Sequence, residues 1–223
     1  MASRIVRRSA NSVIEYLNLI GWVPKNIVMI GVGVTHEEAD AFKEVWPNTD
    51  IIGFEPNSDS CNGIRKSFPG RLHEFAVSCT RTSQRLYSRN NWKNGSSLYQ
   101  PDDSFSKVRI VDCRMLDDCI EDSRDQILLW LDCEGSELDV LKSGTTLLEV
   151  VDVVNVEMTG IPRGQGWAKP IEIHRWLTNR GFLQSWIHTT RPSLGQFDAI
   201  YVRQKLFKPE FCCCMDSIDG SKK

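Results

Sequence analysis

Acidic side chains follow a strongly apolar segment in the stretch ILLWLDCEGSELDVLKSG, residues Ile127–Gly144. Asp132 and Glu134 stand two positions apart immediately after that segment, and a glycine and a helical pattern come next. A carboxylate within hydrogen-bond reach of a bound hydroxyl group can take its proton, directly or through a water molecule. Acids at the start of a helix are also stabilised by its dipole, by roughly 0.3 to 1 kcal/mol. That structural explanation suits Glu137 better than Asp132.

Further polar residues follow other apolar segments. Glu55 comes after DIIGF and Glu157 after VVDVVNV. His36, just past the glycines of NIVMIGVGV, is an alternative base, although a lone histidine there is more often an exposed residue at the start of a helix. Carboxylates can also hold a divalent cation, but neither a histidine nor a third carboxylate stands at ligand spacing from Asp132 and Glu134. The sequence therefore predicts no metal site.

The spacing of apolar residues predicts alternating strands and helices. NIVMIGVGV is a short apolar run that ends in glycines, and Thr35 with Glu38 forms a capping box that opens the next helix. Ser12 with Glu15 forms a similar box for a first helix that stops at Gly21. DIIGFEPN, RLHEFAVS, KVRIVDC and VVDVVNVE predict further strands, and LQSWIH with FDAIYVR predicts an antiparallel pair near the end of the chain.

The segment Ile127–Leu131 is too apolar for a strand with one solvated face, so it should lie in the centre of a parallel sheet that helices cover on both sides. Alternating strands and helices followed by a hairpin predict a doubly wound, mostly parallel α/β sheet with an antiparallel C-terminal edge hairpin. A chain of 223 residues, 41% of them hydrophobic, can form one sizeable core. We expect a single domain over residues 1–207, with an N-terminal helical extension over 1–25 and a disordered, cysteine-containing tail over 208–223.

Composition and charge narrow the class of protein. The formal net charge of -2, with both signs mixed along the chain, gives no electrostatic reason to expect nucleic acid or a membrane surface as a partner. The longest apolar stretches, about five residues, are far shorter than a membrane span. The 8 cysteines are scattered without a CxxC pair, which favours free thiols in a reducing compartment and hence a cytoplasmic protein. Arg4, Arg7 and Arg8 could begin a targeting peptide, but they also fit the basic edge of the first helix.

In open parallel sheets, ligands bind beyond the carboxyl ends of the strands, near the change in strand order. Glu55, Asp132, Glu134 and Glu157 would all lie at that edge, beside the turn at Gly31–Gly33. A glycine turn lets the backbone approach a ligand closely, although this one lacks the third glycine of the dinucleotide fingerprint. The acid at the end of the second strand, about 20 residues after the glycines, is placed to accept hydrogen bonds from ribose hydroxyls. These residues indicate a nucleoside-binding crevice.

The whole series of motifs resembles the FkbM-type family of S-adenosylmethionine-dependent methyltransferases. The matching segments, in family order, are IGFEPN, HEFAVS, NGSSL, RMLDDCI, LLWLDCEGSELDVLKSG and VVNVEM. The combination of DCEGSELDVLKSG with an upstream FEPN is specific, and the resemblance extends from about Ile27 to Arg203. It implies a Rossmann-like class I methyltransferase with a seven-stranded sheet. Such enzymes use S-adenosylmethionine, usually to methylate a hydroxyl oxygen of a sugar, a polyketide or another small metabolite.

The resemblance also implies roles for individual residues. Glu55 would bind the ribose hydroxyls, while Ala76 and Val77 would border the adenine, with core packing as a competing explanation for the last two. The residues expected to bind the cofactor are Gly31, Val32, Gly33, Glu55, Pro56, Asn57, Ala76, Val77 and Asp132. The residues expected to take part in catalysis are Asp132, Glu134, Glu157 and His36. Asn94, Ser96 and Ser97 match the NGSSL segment, and the loop over residues 160–167 could cover the acceptor.

One position departs from the family pattern. The family usually has an aspartate two residues before the first glycine, where this chain has Met29, and an asparagine at the place of Gly33. That aspartate helps to organise the methionine end of the cofactor. A catalytically silent methyltransferase-like domain that binds a metabolite or a partner protein is therefore an alternative to an active O-methyltransferase. A nicotinamide-dependent oxidoreductase is a third possibility, although the sequence offers no hydride-transfer constellation. The acceptor, the choice of base and the oligomeric state stay open.

Overall fold

The computed structural model of the chain describes residues 2–88, 95–100, 107–120, 124–161 and 164–211. Eleven strands lie in these ranges: β1 (Asn26–Ile30), β2 (Asp50–Phe54), β3 (Arg71–His73), β4 (Ala76–Val77), β5 (Gln84–Ser88), β6 (Lys107–Val111), β7 (Cys113–Arg114), β8 (Ile127–Leu131), β9 (Val151–Thr159), β10 (Phe182–Arg191) and β11 (Gln196–Arg203). The six α-helices are α1 (Ala2–Leu19), α2 (Glu37–Val45), α3 (Ser58–Ile64), α4 (Glu137–Ser143), α5 (Leu147–Val150) and α6 (Pro170–Thr178).

Seven strands form one sheet in the order β3-β2-β1-β8-β9-β11-β10. β1, β2, β3, β8 and β9 run parallel, whereas β11 is antiparallel to both of its neighbours, β9 and β10. This arrangement confirms the predicted doubly wound, mostly parallel α/β fold with a C-terminal antiparallel hairpin. The last strand of the hairpin lies next to β9, so β10 forms the edge of the sheet.

The four remaining strands form two small ladders, in which β4 pairs with β7 and β5 pairs with β6. The segment RLHEFAVS, predicted as a single strand, is divided into β3 and β4. The reason is that β3 pairs with β2 at the edge of the main sheet, while β4 leaves that sheet to pair with β7. KVRIVDC is likewise divided between β6 and β7. Because β4 follows the carboxyl end of β3, the β4–β7 ladder stands at that edge of the sheet, where it can form a wall of a crevice.

Both predicted capping boxes are wrong. Ser12 and Glu15 lie well inside α1, which begins at Ala2. Helix α2 begins at Glu37, and its N-cap residue, His36, makes no side-chain cap bond. Helices are stabilised mainly by the packing of their apolar faces, so tertiary contacts override a local capping signal. The helix starts therefore follow the sheet on which α1 and α2 pack.

Apolar side chains fill both faces of the sheet. Met29, Phe42 and Trp130 belong to the cluster on the α1 and α2 face, while Leu129 and Leu141 belong to the cluster on the opposite face. All five residues of β8 are buried, and β8 lies between β1 and β9. The prediction of a central strand at this segment is confirmed. The acids after β8 therefore follow a strand that is fully buried and paired on both sides.

Among the residues that the structure describes, no helix combines the length and the apolar character needed to cross a membrane. The cysteines without a disulfide partner in this part of the chain are Cys61, Cys79, Cys113, Cys119 and Cys133. Residues Pro209–Phe211 of the predicted tail form a 3-10 turn, and Phe211 packs against the cluster that contains Met29. Cys212, Cys213 and Cys214 lie outside the described residues.

Candidate functional site

The carboxyl edge of the main sheet carries a row of acidic side chains. The strand register, continued one residue past the ends of β2, β1 and β8, brings Glu55, Gly31 and Asp132 side by side with Glu157 of β9. Asp198 of β11 pairs directly with Glu157 and extends the row. Cross-strand neighbours share a face of the sheet. Gly31 has no side chain to separate the acid after β2 from the acid after β8 and from Glu157 of β9.

The turn after β1 requires glycine. Gly31 and Gly33 have φ angles of 85° and 76°, in the region that favours glycine. A Cβ atom on Gly31 would lie 1.8 Å from the carbonyl oxygen of Asp132, so any larger residue would push the ends of β1 and β8 apart. The same turn directs the N–H of Gly33 at Oε2 of Glu55, at 2.7 Å. The backbone between β1 and α2 therefore orients the carboxylate after β2.

Glu55 is held by backbone donors on both sides. Its Oε1 accepts a hydrogen bond from the N–H of Asn57 at 2.8 Å, while its Oε2 accepts from Gly33. Burial raises the pKa of Glu55 to about 7; the two N–H donors oppose this shift, and the charge of Asp132 adds to it. The residue is only 5% exposed. The carboxylate is fixed in one orientation at the cavity wall, with lone pairs left for a ligand.

Other predicted residues complete this end of the site. Asn57 caps α3 with its side chain, and its Nδ2 donates to Oγ of Ser96 at 3.1 Å. Ala76 and Val77 of β4 are each 3% exposed and line the cavity. Asn57 is not among the lining residues, so it supports the cavity through Ser96 and the backbone bond to Glu55. Asn94 lies outside the described residues.

Glu134 adopts an unusual backbone conformation after β8. Its φ angle is 48°, which is uncommon for a residue other than glycine and costs about 1 kcal/mol or more. Glu137, at the start of α4, accepts hydrogen bonds from the N–H groups of Cys133 at 3.2 Å and Gly135 at 3.0 Å. Glu137 therefore closes the turn, whereas the strained Glu134 lines the cavity. Strain of this kind is concentrated at functional sites.

Carboxylates cluster at the far end of the cavity. One oxygen atom each of Asp132, Glu134 and Glu157 lies within 4.8 Å of the others. Burial, followed by the charge of Asp132, raises the pKa of Glu157 well above its ordinary range, and the side chains of Glu157 and Asp132 are hydrogen bonded. Two carboxyl groups in such contact share a proton. Glu157 is the partner that keeps it, because both burial and charge favour its neutral form.

This cluster corrects a premise of the sequence analysis. The sequence pattern predicts no third carboxylate at ligand spacing from Asp132 and Glu134, yet β9 brings Glu157 beside them. Three carboxylate oxygens could hold a divalent cation of the Mg²⁺ or Ca²⁺ type. A proton shared between Glu157 and Asp132 is the other way to relieve the repulsion. The absence of a metal stays a prediction.

Two segments cover the turn that carries Glu134. Ser97 donates from Oγ to the carbonyl oxygen of Glu134 at 2.7 Å. A Cβ atom on Gly135 would lie 2.4 Å from the Trp167 ring, so the indole rests directly on the backbone of the turn. Tyr99 packs against Gly166 in the same way, and its hydroxyl donates to Asp139 of α4 at 2.5 Å. Part of the predicted covering loop, residues 162 and 163, lies outside the described residues.

A single cavity brings most of the predicted residues together. It is lined by Gly31, Val32, Gly33, Glu55, Pro56, Ala76, Val77, Asp132, Glu134 and Glu157. His36 is not among the lining residues. Its ring nitrogens contact Asp40 at 2.9 Å and Ser67 at 2.8 Å, and its ring packs edge-on against Phe68. The geometry therefore does not support His36 as the base.

Several lining residues escaped the sequence analysis. They include Ser9, Thr35, Glu38, Leu86, Leu98, Thr190, Arg191 and Gln196. They come from helices, strands and loops that are distant from one another in sequence, so no local pattern marks them. Glu38 did have a signal, but the sequence pattern assigned it to a capping box that does not form.

A family model described as the methyltransferase FkbM domain matches residues 25–183. The chain belongs to this family. The match confirms the resemblance seen in the motifs, and it spans both the Glu55 end and the acidic end of the cavity. Membership of the FkbM methyltransferases gives no support to the nicotinamide-dependent alternative. No curated protein sequence matches the chain.

Solved methyltransferases share the fold of this FkbM-family chain. The magnesium protoporphyrin IX methyltransferase of Synechocystis PCC 6803, solved with bound S-adenosylmethionine, superposes with a TM-score of 0.55 at 10% identity and covers 90% of this chain and 80% of its own. A plantazolicin methyltransferase, solved with S-adenosylhomocysteine, has a TM-score of 0.52 at 11% identity, with 88% and 83% covered. Likenesses at this identity establish the class I methyltransferase fold only.

Proposed function

We propose that this member of the FkbM family transfers the methyl group of S-adenosylmethionine to a hydroxyl oxygen of a small acceptor molecule. The observation that carries the proposal is the cavity that joins Glu55 to Asp132, Glu134 and Glu157 across the glycine turn. A nucleoside with a reactive tail needs a hydrogen-bond acceptor for its ribose at one end and a proton acceptor at the other. S-adenosylmethionine and S-adenosylhomocysteine are also the ligands of solved methyltransferases with this fold.

The Glu55 end of the cavity fits adenosine. The carboxylate of Glu55 accepts hydrogen bonds from the ribose hydroxyls in the orientation that the N–H groups of Gly33 and Asn57 impose. Ala76 and Val77 offer an apolar wall to the adenine ring. Because these groups are held by strand ends and backbone hydrogen bonds, little has to be ordered when the ligand binds.

The acidic end fits the transfer step. S-adenosylmethionine supplies an electrophilic methyl group, and the protein mainly has to align the acceptor oxygen with it. The acceptor hydroxyl loses a proton, which Asp132 or Glu134 accepts. Glu157 is less suited to that role because burial and Asp132 keep it protonated. It instead donates a hydrogen bond to Asp132 and so orients that carboxylate.

The cover over Glu134 favours a small acceptor. Trp167 packs against Gly135 in the turn after β8, and Tyr99 packs against Gly166 in the neighbouring loop, so the turn that carries Glu134 is covered from this side. Burial raises the pKa of Glu157 well above its ordinary range, and a bound acceptor would displace further water from this end of the cavity. A dry site strengthens the hydrogen bonds that align the acceptor hydroxyl with the base.

A silent binding domain is the second candidate, and Met29 is the observation in its favour. Met29 is 1% exposed and belongs to the same apolar cluster as Trp130 and Phe42. β1 therefore presents no carboxylate to the methionine end of the cofactor. The silent domain would bind a metabolite or a partner protein, and only the enzyme would release S-adenosylhomocysteine when an acceptor is present.

Calorimetry with S-adenosylhomocysteine tests the binding half of the proposal. Glu55→Ala should weaken the affinity roughly ten- to a hundredfold, because hydrogen bonds to a charged group are worth about 1.5 to 3 kcal/mol. The matched control is Glu74→Gln, which removes an exposed carboxylate that pairs with Arg65 and should leave the affinity unchanged. A wild-type chain that does not bind the ligand at millimolar concentration would contradict the proposal.

The transfer half is tested with labelled S-adenosylmethionine and pools of small hydroxyl compounds, including sugars and phenols. We expect labelled product in one pool together with a stoichiometric amount of S-adenosylhomocysteine. The labelled product should be lost in Glu134→Gln. Tight binding without label in hydroxyl compounds would favour the silent domain, and label transferred only to amines would reject O-methylation.

A further inference from the structure

Glu38 lines the cavity, but it belongs neither to the ribose-binding end at Glu55 nor to the acidic cluster of Asp132, Glu134 and Glu157. It lies in the first turn of α2, beside the lining residues Gly33 and Thr35. The sequence pattern assigns it to a capping box with Thr35, but α2 begins at Glu37 and has no side-chain cap bond at its N-cap. The Glu38 carboxylate therefore does not form the predicted capping box; it accepts a hydrogen bond from its own backbone N–H and lines the cavity.

The charged side chains that shift the pKa of Glu38 are negative. Asp132 after β8, Asp198 of β11 and Glu37 on the same helix all disfavour its ionised form. Burial is the largest cause, and together these effects raise the pKa of Glu38 to about 8. A partly buried carboxylate among other carboxylates stays neutral until a cation approaches it.

The cavity itself has little positive charge to offer. Among the described residues that line it, Arg191 of β10 is the only cationic side chain. Helix α1 contributes the polar but uncharged residue Ser9 to the lining. Arg191 is not among the groups that shift the pKa of Glu38. No described lining residue therefore supplies a cation to the ionised Glu38, and a cationic group on a ligand would do so.

We propose that Glu38 binds the α-ammonium group at the methionine end of the cofactor. This inference rests on the proposed function. A ligand with its ribose at Glu55 crosses the turn at Gly31–Gly33, and its amino-acid end then reaches the part of the cavity lined by Glu38 and Asp132. The ammonium group neutralises the two carboxylates, which otherwise repel each other. Helix α2 thus supplies the acid that β1 lacks at Met29.

A comparison of two ligands isolates this contact. S-adenosylhomocysteine carries the amino-acid end, whereas 5′-methylthioadenosine has the same adenosine and a thioether without it. Glu38→Gln should weaken S-adenosylhomocysteine roughly ten- to a hundredfold and leave 5′-methylthioadenosine unchanged, as expected for the loss of a charge-assisted hydrogen bond. Glu44→Gln, an exposed position of the same helix, is the control and should change neither affinity. Glu55→Ala should weaken both ligands.

The outcomes separate this inference from the proposed function. An unchanged affinity of Glu38→Gln for S-adenosylhomocysteine overturns the inference alone, and so does an equal loss for both ligands. A loss confined to S-adenosylmethionine also overturns it, since Glu38 would then act on the sulfonium. A wild-type chain that binds none of the three ligands overturns the proposed function as well. If Glu38→Gln fails to fold, Glu38→Asp replaces it, with a smaller loss expected for S-adenosylhomocysteine only.

Proton release provides a second readout that a purely structural role would not change. Because the pKa of Glu38 is about 8 without ligand, most of this carboxyl is protonated at pH 7 and must ionise when the ammonium binds. Calorimetry in two buffers of different ionisation enthalpy should therefore detect proton release with S-adenosylhomocysteine. The release should be smaller with 5′-methylthioadenosine and smaller in Glu38→Gln. Equal proton release in the wild type and Glu38→Gln would overturn the inference.

Discussion

The ends of the cavity hold their carboxylates in opposite ways. At one end, Glu55 receives hydrogen bonds from the N–H groups of Gly33 and Asn57, so donors surround it. At the other end, Asp132 and Glu157 face each other, so the nearest charged neighbour of each carboxyl group is another acid. Backbone donors orient an acceptor for neutral hydroxyl groups without a change in charge. Facing acids instead create a place where a proton or a cation is gained or lost, which suits a step that moves a proton.

The two ends also use left-handed backbone differently. At the turn after β1 the conformation belongs to Gly31, where a side chain has no room. At the turn after β8 it belongs to Glu134, a residue that tolerates it poorly but brings a carboxylate to the cavity. In the first turn, the left-handed conformation allows the ends of β1 and β8 to pack closely. In the second turn, it strains Glu134 but places a carboxylate at the cavity.

The largest effect is expected for Gly31→Ala. Its Cβ would clash with the carbonyl oxygen of Asp132, and its φ of 85° disfavours alanine, so the free energy of unfolding should fall by roughly 2 to 5 kcal/mol. Urea unfolding measures this loss. Gly63→Ala in α3 is the matched control, because its Cβ would meet nothing within 4 Å, and it should not destabilise the chain. Equal stability of Gly31→Ala and the wild type would refute the tight contact between the ends of β1 and β8.

The second prediction is that substitutions of Glu134 change stability and activity in different ways. Glu134→Gly removes the strain at φ 48° and should raise the free energy of unfolding by about 1 kcal/mol. The same change removes a candidate base, so turnover should fall roughly a hundredfold or more. Glu134→Gln keeps the strain and should lose turnover without the gain in stability. If both variants turn over at the wild-type rate, Asp132 alone is the base.

The third prediction concerns pH. A carboxyl whose pKa is higher in the folded chain than its ordinary 4.5 favours folding at low pH, and this contribution is lost as pH rises toward the folded pKa. The melting temperature of the ligand-free chain should therefore decrease between about pH 5 and pH 8. Glu157→Gln should flatten this decrease more than Glu55→Gln, because the pKa of Glu157 is raised further than that of Glu55. A flat wild-type profile would mean that neither acid is buried in solution.

The smallest effect is expected from chelation. If Glu157 shares a proton with Asp132, no cation is needed to hold the acids together, and EDTA should change neither the melting temperature nor the methyl transfer rate. Titration with Mg²⁺ and Mn²⁺ after chelation completes the measurement. A loss of transfer with EDTA that Mg²⁺ restores would show that Asp132, Glu134 and Glu157 act as ligands instead, as their spacing of 4.8 Å or less permits.

Local patterns in the sequence correctly predicted the central strand and the glycine turn beside it. The apolar segment Ile127–Leu131 predicted a central strand, and the glycines of GVG predicted the turn beside it. The capping boxes failed, because α1 and α2 start where their packing on the sheet allows. Glu38 is the informative failure, since a residue that resembles a cap lines the cavity instead.

The sequence by itself determined the fold class, the family and the acids at the ends of the second and fourth parallel strands, because strand ends and glycine turns are local features of the chain. Only the tertiary structure decided which acids meet. The order of the strands brings Glu157 beside Asp132, and the start of α2 turns Glu38 toward the cavity and leaves His36 outside its lining. Distances between such residues depend on strand order and helix packing, and neither is encoded in the spacing along one segment.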